Sequence, residues 1–172
     1  MLEEQASNNL RADTSLPSQT KRPPVGNCRS VTCSSSGNQY AKCSVGLHER
    51  IISVTMEVQE SSTKCVRCRN WGSESSYLWV DGGCRAKFQL CTVDAHDIVC
   101  TSLACASDKF QKTQCMINDA QFISTATIEK QLSDAECRKC ESYYHDDTSV
   151  TVQAGCRARF HVCYKRSMSR II

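Results

Sequence analysis

The chain has 172 residues, 14 of them cysteine, and 21 basic against 18 acidic side chains for a net charge of +3. Mixed charge of that size excludes an electrostatic footprint for nucleic acid, and no run approaches the roughly 18 consecutive apolar residues of a membrane helix. The cysteine content is that of a disulfide scaffold and points to an oxidising compartment, because cytosolic thiols stay reduced.

Residues 1–27 are polar, rich in Ser, Asn and Gln, and hold all three prolines, Pro17, Pro23 and Pro24. They read as a disordered leader or propeptide. Lys21-Arg22 is a dibasic pair, although Pro23 after it disfavours cleavage there. No apolar stretch near the N-terminus reads as a signal peptide. Met1 is expected to stand where a signal was removed, so secretion is inferred from the cysteines. No N-x-S/T sequon occurs, and N-glycosylation is not expected.

The cysteines come in two sets. The first is Cys28, Cys33, Cys43, Cys65, Cys68, Cys84 and Cys91. The second is Cys100, Cys105, Cys115, Cys137, Cys140, Cys156 and Cys163. Each member of the second lies 72 positions after its counterpart, so C-x4-C-x9-C-x21-C-x2-C-x15-C-x6-C occurs twice without a gap. This is an internal duplication. Thirteen further aligned positions are identical, among them Ile51/Ile123, Thr55/Thr127, Glu57/Glu129, Gln59/Gln131, Val80/Val152, Gly83/Gly155, Arg85/Arg157, Ala86/Ala158 and Phe88/Phe160. The expected organisation is repeat 1 over 28–91, a linker over 92–99, repeat 2 over 100–163, and a basic, fraying tail over 164–172.

Units this short bury too little surface to be stable without staples. Seven cysteines per unit leave one over after three internal bridges. The two leftovers can pair with each other or with another chain. The reading preferred is that one member of each CxxC is the odd one, giving Cys68–Cys140.

In chain order, IISVTMEVQ alternates: Ile52, Val54, Met56 and Val58 lie on one side, and Ile51, Ser53, Thr55, Glu57 and Gln59 on the other. That pattern predicts a half-buried strand. YLWV gives another, and Gly82-Gly83 a turn. CRAKFQLC follows with Cys84, Ala86, Phe88 and Leu90 inward and Arg85, Lys87 and Gln89 outward. In repeat 2, FISTATIEKQ, SVTVQ and CRARFHVCYK take the same places, and SDAECRKC admits a short helix near Ser133–Cys140. The predicted fold is all-β: two small disulfide-stapled antiparallel β domains related by the 72-residue repeat and paired about a pseudo-twofold axis.

The span from Cys33 to Phe88 carries CSSSGNQYAKC with Tyr40 before Cys43, VQESSTKC with Gln59, Ser61 and Cys65, then Trp71-Gly72 and WVDGGCRAKF. This pattern resembles a bacterial exported domain family of unknown function with the signature WG…WVDxGCRAxF. Repeat 2 departs from it, with Tyr143-Tyr144 for WG and Thr151-Val152-Gln153 for WVD, but keeps GCRARF. Cys28, Cys68 and Cys91 are additions to the family's four cysteines. The resemblance implies an exported small β domain and no activity. The repeats also resemble GCR-containing cysteine-rich repeats of secreted invertebrate proteins.

No nucleophile–base pair, phosphate loop or paired catalytic carboxylate is legible, so catalytic residues stay unknown and no cofactor is expected. The CxxC pairs lie too far apart for a zinc knuckle and lack the strand-then-helix setting of a redox motif. None of His48, His96, His145 and His161 recurs between repeats, so no metal site is expected. Aromatic side chains offer the best site. Trp71, Tyr77 and Trp79, with Asn70, Glu74 and Asp81 nearby, and Tyr143 and Tyr144, with His145, Asp146 and Asp147, are candidates to stack on and hydrogen-bond a sugar. Trp79 leans towards a core role; Trp71, in the polar NWGSESS, is balanced between core and surface. Glu57 with Arg85, and Glu129 with Arg157, are expected to form structural cross-strand ion pairs.

The functional expectation is a secreted binding protein, lectin-like, for a glycan or small-molecule ligand, with two sites gaining avidity. It has no nucleic-acid partner and no membrane span; oligomerisation is open. The alternatives are a secreted signalling or toxin-like ligand, and a cofactor-free enzyme with a pocket between the repeats. The enzyme reading rests on analogy alone with secreted luciferases built as small cysteine-rich repeats.

Overall fold

A computed structural model describes residues 26–168; residues 1–25 of the expected leader, with the Lys21-Arg22 pair, and the last four residues lie outside the described residues, while Asn27 already belongs to the first strand. The chain is all-β. Repeat 1 contributes β1 (Asn27–Ser34), β2 (Ala41–Ser44), β3 (Glu49–Gln59), β4 (Trp71–Glu74), β5 (Tyr77–Val80) and β6 (Arg85–Asp94). Repeat 2 contributes β7 (Ile98–Ala106), β8 (Thr113–Met116), β9 (Ala120–Gln131), β10 (Tyr143–His145), β11 (Ser149–Val152) and β12 (Arg157–Arg166). Each half holds two antiparallel three-stranded sheets, ordered β1-β6-β3 with β2-β5-β4, and β7-β12-β9 with β8-β11-β10. Between β6 and β7 only the short 3-10 turn Ala95–Asp97 remains, and β12 extends strand through Arg166 into the segment expected to fray. Residues 133–140 are irregular and not helical.

Alternation explains the cores. On β6, Ala86, Phe88 and Leu90 are buried between the sheets while Arg85, Lys87 and Gln89 are exposed. Phe160 takes the place of Phe88 in the other half. On β3 the alternation breaks. Ile51 pairs with Thr92 and Ser53 with Cys91, so Ile52 is an extra, bulged residue. Ile51, Val54 and Met56 therefore face the repeat 1 core, whereas Ile52 turns to a separate cluster with Cys91, Val93 and Phe122. That cluster joins the two halves. Ser124 is the matching bulged residue on β9, and its hydroxyl donates to the Ile51 carbonyl of the other half at 2.7 Å.

A second bulge falls on Glu57 and on Glu129. A bulge re-aims its residue, which overturns the expected ion pairs. Glu57 accepts from Ser30 at 2.8 Å and Glu129 from Ser102 at 2.7 Å, while Arg85 lies beside Glu60 at 3.9 Å. Val58, past the bulge, is exposed.

Seven disulfides tie the described chain, with no free cysteine. Cys28–Cys91 and Cys100–Cys163 cross neighbouring strands; Cys33–Cys43 and Cys105–Cys115 join the two sheets of each half; Cys65–Cys84 and Cys137–Cys156 pin the long loops. Cys68–Cys140 joins the halves. The identities shared by the repeats serve this frame. Gln59 and Gln131 accept from the backbone N–H of Cys65 and Cys137. Ser61 and Ser133 accept from the N–H of Arg85 and Arg157.

Glu49 is a structural acid of repeat 1 alone. Arg29 donates two hydrogen bonds to it, at 2.8 and 2.7 Å, and Gly46 N–H and the Thr92 hydroxyl add two more. Chiefly through Arg29, its pKa falls from 4.5 to about 2. The unfolded chain therefore binds the proton more readily. The stabilisation is complete above about pH 4.5 and is lost as pH falls towards 2. Thermal melts across that window should show a falling midpoint in the native protein and a shallower fall in Glu49→Gln; equal slopes would refute the assignment.

Candidate functional site

Cys68 and Cys140 occupy the same position of their repeats, so the bond between them places the local pseudo-twofold axis at that point. Both residues hold a left-handed backbone, with φ of 68° and 70°. Residues around them line, with several of their own repeat equivalents, a cleft of about 450 Å³. Three equivalent pairs line it together: Arg67 and Lys139, Ser73 and His145, Gly72 and Tyr144. Lys139 crosses to Glu74 at 2.7 Å. The floor comes from the bulged segments, Ile51 to Val54 and Ile123 with Ser124.

Two rings wall the cleft, one from each half, in reciprocal positions. On β5 Trp79 pairs across strands with Gly72 of β4. The indole lies so close that a Cβ on Gly72 would come within 2.7 Å of it. Glycine is required there by the ring. In repeat 2 the sizes are exchanged: Tyr144 of β10 pairs with the small Thr151 of β11. An aromatic ring from each half thus lines the same cleft.

His145 donates from Nδ1 to the Asp146 carbonyl at 3.2 Å when neutral. Burial lowers its pKa, with Lys139 and Arg67 acting in the same direction, which favours the neutral imidazole, whose Nε2 is then an acceptor. The cleft is therefore lined by Arg67, the Lys139–Glu74 pair, serine hydroxyls and an imidazole as well as the two rings. Such a set can hydrogen-bond hydroxyls while the rings meet an apolar face.

The outer face of β2 and β5 continues from Trp79. Tyr40 stacks on it with centroids 5.9 Å apart and planes 24° apart. The Lys42 ammonium lies 4.3 Å from the Tyr77 ring centroid. Partial burial raises the Tyr40 phenol above its ordinary pKa, and the neighbouring Tyr77 hydroxyl adds to this.

The family model described as a protein of unknown function, DUF3011, matches residues 13–166. The chain belongs to that family. A protein named Lectin ADEL, from Aplysia dactylomela, is 28% identical over 139 residues, which are 80% of this chain and 64% of that lectin. The chain thus spans just under two thirds of its relative's length. No solved structure matches it.

Within this DUF3011 chain the sequence candidates divide. Trp71 and Tyr143 are core residues, 6% exposed each, tilted against Phe88 and Phe160 at 5.1 Å. Trp79 and Tyr144 are the rings that reach the cleft, so Trp79 leaves the core role expected of it, and Trp71, balanced between core and surface in the sequence, is core. Asn70 and Asp81 build the turn: Asn70 accepts from Val66 N–H and Asp81 from Gly82 N–H. Tyr77 stands on the outer face. Asp146 opposes burial with hydrogen bonds from Thr148, Ser149 and Gln114, which hold its pKa low and commit it to its own turn. Asp147 accepts from Ile123 N–H through its carbonyl.

Sequence reasoning missed Arg67, Lys139, Lys42 and the cleft role of Ser73. Tyr40 was noted only as part of the family pattern. One signal was available: in YLWV, Leu78 and Val80 are the apolar pair, so alternation sends Trp79 to the opposite face. The cluster Cys100, His161 and Cys163 has metal-ligand proximity, but both sulfurs are spent in their disulfide.

Replacing Trp71 by Ala should destabilise the fold by about 3–5 kcal/mol, the cost of emptying a buried aromatic site. Trp79→Ala should cost clearly less in chemical denaturation. Equal losses in the two variants would contradict the assignment of core and cleft.

Proposed function

We propose that the protein is a secreted, lectin-like protein that binds a glycan in the cleft between its two repeats. The observation that carries this reading is the reciprocal pair Trp79 and Tyr144 lining one cleft with Arg67, Glu74, Lys139 and His145. Rings for the apolar face of a sugar, and dense polar groups for its hydroxyls, are what carbohydrate recognition requires. The relationship to Lectin ADEL supports the same class of ligand. Seven disulfides support an extracellular setting, and no helix among the described residues is long and apolar enough to cross a membrane.

The site is composite: each repeat supplies one ring and one base, and neither makes the cleft alone. This replaces the picture of two equivalent sites, because the aromatic positions Tyr40, Tyr77 and Trp79 become Lys112, Ser149 and Thr151 in repeat 2. A cleft between repeats is also what a cofactor-free oxygenase would need. The charged and hydroxylated walls favour a polyhydroxylated ligand over an apolar one.

A glycan array probed with the oxidised protein should give binding. Trp79→Ala and Tyr144→Ala should each weaken it by about tenfold, near 1.4 kcal/mol, with melting temperatures close to that of the native protein. Retained binding in both variants would move the site elsewhere, and absence of binding to any glycan would refute the lectin reading.

A further inference from the structure

The glycan reading leaves a feature unused. Aromatic surface does not stop at the cleft. Trp79 lines it, Tyr40 stacks on Trp79, and the Lys42 ammonium bridges on towards Tyr77, lying 6.0 Å from the Tyr40 centroid and 4.3 Å from that of Tyr77. The register explains the continuity: Lys42 is directly opposite Trp79, and Ser44 opposite Tyr77. Side chains that share a face of neighbouring strands form one ribbon. Tyr40 is 49% exposed, so the ribbon is open to solvent. The core takes none of these rings, because Leu78 and Val80 fill it from the same strand.

The ribbon is one-sided. In repeat 2 the matching positions are Lys112, Gln114, Ser149 and Thr151. Gln114 donates to both Asp146 and the Ser149 hydroxyl, so that face is closed by its own hydrogen bonds. A path of ring faces and one amine therefore leaves the cleft in a single direction. The Tyr40 and Trp79 rings lie 5.9 Å apart by centroid, a step comparable with the width of one pyranose, and Tyr77 stands two residues before Trp79 on the same face of β5.

Resting on the glycan reading, we infer that the ligand is an oligosaccharide. One unit enters the cleft between Trp79 and Tyr144, and the following units lie along Tyr40 and Tyr77, with Lys42 donating to their oxygens. Recognition then depends on chain length as well as on the unit in the cleft.

The test is calorimetric titration with chitooligosaccharide and galactooligosaccharide ladders, monomer through tetramer, on the native protein and on Tyr40→Ala and Tyr77→Ala. Affinity should rise about fivefold or more from monomer to trimer in one ladder, the size of one ring-stacking contact. Each variant should flatten that rise while keeping the native affinity for the monomer. Binding with no dependence on length, or a length dependence that both variants preserve, would overturn the inference and leave the cleft site standing. No binding of either ladder or of any arrayed glycan would sink both.

Discussion

The bond between Cys68 and Cys140 is the constraint on which the rest depends. A disulfide between two positions that are equivalent in a repeat can form only where the halves meet face to face, on their common axis. Around that one bond, Arg67 and Lys139, Ser73 and His145, and Gly72 and Tyr144 line a single cleft. Behind it, the bulged Ile52 and Ser124 turn away from their own cores towards the other half. The apolar cluster around Ile52, Val93 and Phe122 supports the same junction. Disulfide, bulges and cluster together leave a cleft rather than a sealed contact.

The two repeats divide the labour. Positions that stayed identical hold the frame: cysteines, the core rings Phe88 and Phe160, the Gln59 and Gln131 side chains that pin the loops, and the glutamates at the second bulge. Positions that differ furnish the rings and the charged groups of the cleft, beside the identical Ile51 and Ile123 and the Cys68–Cys140 bond. Trp79 became possible because Gly72 leaves room for the indole, while Tyr144 became possible because Thr151 does. Neither half could hold rings at both positions of its cross-strand pair. The cleft has two different walls for that steric reason.

Much of the frame was legible in the sequence. Cysteine spacing gives the repeat, odd cysteine parity leads to the bridge between halves, and CRAKFQLC reads directly as a strand with Phe88 inward. Bulges were not legible. A single extra residue reverses the alternation, and so Ile51, Ile52 and Glu57 all point differently from a simple period of two. The site was legible by residue type and not by assignment. Trp71 sits in a polar loop sequence yet enters the core, because strand pairing with β5 sets which of its faces is covered. Arg67 and Lys139 carried no local signal, since their meaning arises only where two distant loops are bonded together.

The claim that one composite cleft, and not two independent repeats, binds the ligand is tested most directly by stoichiometry. Native mass spectrometry of the oxidised protein with a saturating glycan should show one ligand per chain, lost in a Trp79→Ala, Tyr144→Ala double variant. Two ligands per chain, bound with equal affinity, would mean that each repeat carries its own site and would contradict the account.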